Sequence, residues 1–115
     1  MTMHESEEHL TVATRDMHRA IKSLMEELEA VDWYQQRMDA TKDEDLGAIL
    51  RHNRDEEKEH AAMVLEWIRR HDPALDTYLR EYLFTEGSLV GREAAGDGTQ
   101  NGRRSASVGS LRGGV

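Results

Sequence analysis

Eight of the nine glycines lie beyond residue 85, and Gly47 alone precedes it. The single proline, Pro73, falls near the end of the same glycine-poor stretch. Residues 1–84 thus hold almost nothing that interrupts a helix, while 85–115 hold little that would sustain one. With one Pro and one Gly before residue 85, in a chain whose residues are 33% charged overall, the first stretch reads as an all-α body. The second, with segments such as Gly96-Asp-Gly-Thr-Gln-Asn-Gly102, cannot bury enough apolar surface to offset its ordering entropy. The expected division is a helical domain at 1–84 and a flexible linker with a terminal peptide at 85–115.

Within the body, Leu10, Met17, Leu24 and Val31 recur with Ala13, Ile21 and Leu28 beside them. This period near 3.5 predicts a first helix from about 6 to 38. The polar run from Asp39 to Asp45 follows, in which Thr41 and Glu44 have the spacing of a capping box. A second helix is expected from about 42 to His71-Asp72, and a third, short one from Ala74 to Phe84. Two long antiparallel helices joined by a tight turn form one layer, so their apolar seam needs a covering partner. A folded part of about 84 residues buries only about 60% of its unfolded surface, which adds to that need. No cysteine is present, which excludes disulfides, thiolate zinc sites and cysteine nucleophiles.

The seam of the second helix holds Leu46, Ile49, Leu50, Asn53, Glu57, His60, Val64, Trp67 and Ile68, all within about 60° of one line. Its ends are apolar and its middle is Asn53, Glu57 and His60. On the first helix, Glu27 interrupts the stripe between Leu24 and Val31. A carboxylate at an apolar seam is costly unless it meets a cation. Glu57-Lys-Glu-His60 is a Glu-x-x-His motif, whose spacing aims both side chains at one point. Di-iron carboxylate bundles combine a Glu from each of two helices with a Glu-x-x-His from each of two others. One chain holds half of that set, and a two-fold dimer would complete both the ligand set and the core as a four-helix bundle. Glu-x-x-His by itself arises by chance in so acidic a chain; its position opposite Glu27 is what carries the metal reading. Trp67 reads as core.

Two further clusters stand on helix surfaces. Glu26, Glu29 and Trp33 share the far face of the first helix, and His52, Glu56 and Glu59 share one side of the second. Carboxylates so spaced hold hydrated cations weakly, and a solvated helix surface is the competing explanation for each cluster. An exposed Trp33 among carboxylates also fits a covering partner.

Charge narrows the partners. Acidic residues number 23 against 15 basic ones, a net charge of −8, so cations are favoured and nucleic acid is not. No apolar run approaches the roughly 20 residues of a membrane span. The N-terminal Met1-Thr-Met-His-Glu-Ser-Glu-Glu has no signal-peptide pattern, which points to the cytoplasm.

Two longer segments, Met25-Glu-Glu-Leu-Glu-Ala-Val-Asp-Trp-Tyr34 and His52-Asn-Arg-Asp-Glu-Glu-Lys-Glu-His-Ala-Ala-Met63, resemble the encapsulated ferritin family over roughly residues 15–86. The C-terminal Ser107-Val-Gly-Ser-Leu-Arg-Gly-Gly114 resembles the peptide by which cargo proteins dock inside encapsulin shells. The resemblance implies two-helix protomers that pair to build a di-iron ferroxidase centre, two irons per dimer, and dimers that form an annular decamer. By motif match it gives Glu27, Glu57 and His60 the ligand positions and sets Tyr34 beside the centre. It gives Glu26, Glu29 and Trp33 the positions of a metal-access site, and His52, Glu56 and Glu59 those of a peripheral metal site. It implies location inside an encapsulin nanocompartment in the cytoplasm.

The expected activity is oxidation of Fe²⁺ with O₂, in which hard carboxylate oxygens suit Fe³⁺ and imidazole retains Fe²⁺. A di-iron or di-manganese oxidase or peroxidase acting on another small substrate uses the same ligand set. A helical adaptor whose acidic seam only sets dimer register is the non-enzymatic alternative. At the tail, Val108 and Leu111 suit shallow apolar pockets and Arg112 an acidic rim. A linker of about 20 residues spans roughly 25 Å, enough to tether a ring to a shell wall.

Overall fold

The computed structural model describes residues 3–95, and among these it is all-helical, with no strand. A 3-10 turn at Glu7–His9 leads into α1 (Val12–Ala40), which is followed by α2 (Glu44–Arg70) and α3 (Pro73–Tyr82). The chain divides into two compact units, Met1–Ile68 and Arg69–Val115, and the composition change at 84/85 falls inside the second. No helix among the described residues is long and apolar enough to cross a membrane.

Each boundary has a local cause. The periodic pattern predicts α1 from about residue 6, but Leu10 is extended and the Thr11 hydroxyl accepts the Thr14 N–H at 3.0 Å, so the helix begins at Val12. The cap of α2 is Asp43 rather than Thr41: the Asp43 carboxylate accepts the Leu46 N–H at 2.8 Å, while the Thr41 hydroxyl accepts the Asp43 N–H at 3.2 Å. The Asp72 carboxylate caps α3 through the Leu75 N–H at 3.0 Å, and Pro73 occupies the first turn, where its missing N–H costs nothing. That helix ends at Tyr82, two residues before the expected Phe84, because Leu83 is extended and Phe84 sits at φ 60°. A left-handed Phe cannot continue a right-handed helix. A further short helix occupies 89–95, within the stretch read as linker; the Ser88 hydroxyl accepts the Gly91 N–H at its start. The terminal peptide lies outside the described residues.

In the first unit, α1 and α2 run antiparallel as a hairpin. Its centre line on α1 is only half-buried at Met17, Leu24 and Val31, as is Leu10 ahead of the helix, and Ile21 and Leu28 beside that line are exposed. On α2 the buried residues are Leu50, Ala61 and Ile68. Ala61 is absent from the stripe singled out by periodicity, yet it is among the buried residues of α2. Met25, Ile49, Met63 and Trp67 remain exposed, and Asp16, Arg19, Ala20, Ser23, Met63, Val64 and Trp67 line an open groove of about 370 Å³. The apolar face is thus far larger than the buried core, as a single-layer hairpin dictates.

Candidate metal centre

Halfway along the hairpin, Glu27 of α1 faces Glu57 and His60 of α2. One ligand atom from each of the three lies within 4.8 Å of the other two. Their Glu-x-x-His spacing puts Glu57 and His60 about one turn apart on one face, and His60 Nδ1 approaches Glu57 Oε1 at 3.3 Å. Antiparallel pairing brings Glu27 to the same level. Among the described residues this is the one group of three such ligands so closely gathered.

The three sites differ in exposure in a way that matters. Glu57 is 26% exposed and His60 46%, whereas Glu27 Oε1 is fully buried with no hydrogen-bond partner. An unpaired buried carboxylate oxygen costs free energy that folding alone does not return. Two carboxylates and an imidazole converging on one point, one oxygen being unsatisfied, fit a divalent or trivalent cation with oxygen and nitrogen ligands. One chain offers three protein ligands, too few to enclose a pair of metals.

The other sequence-derived candidates are more dispersed. His52 Nε2 lies 3.3 Å from Glu56 Oε2, an exposed pair across one turn, and Glu59 does not complete a three-ligand group with them. Glu26 and Glu29 are exposed, and Lys22 Nζ lies 3.6 Å from Glu26 Oε2. Trp33 is 48% exposed. Tyr34 is half-buried, and the Arg37 guanidinium stands 5.5 Å from its ring centroid. Asn53 is half-buried on the seam beside Glu57. Val108, Leu111 and Arg112 lie outside the described residues.

A half-bundle hairpin bearing one Glu and one Glu-x-x-His defines a ferritin-like class of protein. The EncFtn-like family profile matches residues 2–86, and the chain belongs to that family. It is 55% identical to the encapsulated ferritin-like protein of Rhodospirillum rubrum, with 96% of this chain and 87% of that one aligned. It is 37% identical to the encapsulin nanocompartment cargo protein EncC of Myxococcus xanthus, over 84% of this chain and 85% of that one. The crystal structure of protein ne0167 from Nitrosomonas europaea superposes with a TM-score of 0.75 at 63% identity, covering 77% of this chain and 98% of that one.

Proposed function

We propose that this protein is a ferroxidase: it oxidises Fe²⁺ to Fe³⁺ with O₂ at a di-iron centre shared by two copies of the chain, and supplies iron for storage inside an encapsulin shell. The observation that carries this reading is the buried, unpartnered Oε1 of Glu27 beside Glu57 and His60. Names of the relatives, ferritin-like and encapsulated, support iron as the metal and a shell as the partner. Iron is the substrate here, arriving as Fe²⁺ and leaving oxidised.

Two hairpins meeting seam to seam supply two Glu27, two Glu57 and two His60. In this arrangement Glu57 of each chain would serve both irons, and Glu27 and His60 of each chain would hold one iron. Each Fe²⁺ gives up one electron and O₂ takes the pair, so holding both irons in one site lets a two-electron reduction occur in a single encounter. Carboxylate oxygens favour the Fe³⁺ product, and the imidazoles keep Fe²⁺ bound beforehand. Tyr34 lies two turns from Glu27 on α1, about 10 Å along the helix, at the edge of this centre.

Glu26, Glu29 and Trp33 form the access site, and His52, Glu56 and Glu59 a peripheral one; both would take hydrated cations through exposed carboxylates. Dimers close into an annular decamer, an open ring without a cavity for mineral, so storage falls to the shell. Val108, Leu111 and Arg112 dock the assembly to the inner wall in the cytoplasmic nanocompartment. Glu57→Ala and His60→Ala each abolish most Fe²⁺ oxidation while far-UV circular dichroism keeps its helical signal. Wild-type oxidation rates in either variant would remove the assignment.

A further inference from the structure

Bringing Glu27 to Glu57 and His60 demands an accurate register between α1 and α2. A slip of one residue shifts a ligand by about 1.5 Å along the helix and turns it by about 100°. Apolar packing supplies little of that accuracy, because the buried apolar residues among those described, Leu50, Ala61 and Ile68, all belong to α2. The orphaned Glu27 oxygen works against it, since a rotation of α1 that exposed the unpaired group to water would lower its cost.

One polar connection spans the two helices one turn from the ligands. Arg54, three residues before Glu57, donates from Nη1 to Gln35 Oε1 of α1 at 2.7 Å. The same guanidinium is steadied by its neighbour Asp55, whose Oδ1 lies 3.0 Å from Nε and 2.8 Å from Nη2. Gln35 in turn donates from Nε2 to Asp39 Oδ1 at 3.0 Å, which orients its carbonyl toward Arg54. Although it is an arginine on an exposed hairpin, its side chain is only 17% exposed. A planar fork held on both edges has few rotamers left, so a bond made through it fixes direction as well as distance.

We infer that Arg54 is a positioning residue for the metal centre: through Gln35 it locks the register of α1 against α2 and holds Glu27 opposite Glu57 and His60. The inference rests on the metal reading of that trio. Partners that orient metal ligands without touching metal typically contribute about 10-fold to 100-fold in affinity.

Co²⁺ titration of the full chain tests it, since the visible absorption of bound Co²⁺ reports ligand number and geometry. Arg54→Lys keeps the charge and loses the fork, and Gln35→Leu removes the acceptor. Each is expected to raise the Co²⁺ Kd about 10-fold and alter the band shape. The double variant should be no weaker than either single one, because both break the same bond. Gln35→Glu, which retains an acceptor, should bind Co²⁺ as the wild type does. Wild-type Kd and spectrum in Arg54→Lys and Gln35→Leu, or fully additive losses, would overturn the clamp while leaving the metal centre standing. A wild-type Co²⁺ spectrum that Glu57→Ala reproduces would instead remove the metal centre itself, and the clamp with it.

Discussion

At the scale of single residues, Glu27 carries the largest tension in the hairpin. Its Oε1 is buried with no hydrogen-bond partner, so the residue opposes folding, and a cation bound there would relieve that cost. Replacing a buried polar group by an apolar one of similar size is neutral or stabilising when the group had no partner. Glu27→Leu should therefore raise the apo melting midpoint by about 4 °C, corresponding to about 1 kcal/mol for a domain of this size. The same variant should lose Fe²⁺ oxidation. Thermal unfolding followed by circular dichroism reads the first effect, and an unchanged or lower midpoint would contradict the account of Glu27. This trio was readable from sequence because helical period and antiparallel pairing are simple geometry. Glu57 and His60 share a face by spacing alone, and Glu27 breaks an otherwise apolar stripe. The Arg54–Gln35 bond was not readable, since it joins positions 19 apart through the rotamers of two long side chains.

At the scale of the element, capping decided the boundaries that periodicity missed. Thr41 and Asp43 are both good caps, and only the geometry of the turn selects Asp43. The helix at 89–95 is not legible in the sequence, because Gly87, Gly91 and Gly96 in and around it argue against helix, whereas the Ser88 cap favours one. In the second unit, Asp76 of α3 accepts from Arg69 at the end of α2 and from Arg80 one turn on. The Arg69 hydrogen bond is the chief cause holding its carboxyl below the ordinary Asp value; partial burial opposes this and Arg80 adds to it. A carboxyl depressed on folding stabilises the fold above its unfolded value of about 3.9 and loses that contribution as the pH falls through the lowered one. Acid titration of helicity should therefore show a loss below about pH 4 that is absent in Asp76→Asn, whose helicity at neutral pH is already reduced. Coincident acid profiles for the two proteins would show that the Arg69–Asp76–Arg80 cluster contributes nothing.

At the scale of the whole molecule, the exposed apolar face and the half-complete ligand set have a common remedy in a second copy of the chain. On the proposed reading, four carboxylates from two Glu27 and two Glu57 would repel across such an interface until metal neutralised them, which would couple association to iron binding. The tail acts separately. On the proposed reading the C-terminal peptide is an address and not part of the catalyst, so deleting 105–115 should leave Fe²⁺ oxidation kinetics unchanged and abolish co-purification with a co-expressed encapsulin. Continued packaging of the truncated protein would deny the tail that role, and lost activity would join it to the folded body. The most direct test of the shared centre is native mass spectrometry of the full chain with and without Fe²⁺ under anaerobic conditions. The account predicts even-numbered assemblies that carry two irons for every two chains, with the iron lost in Glu57→Ala. Iron bound to single chains at the same stoichiometry, or assemblies that hold none, would contradict it.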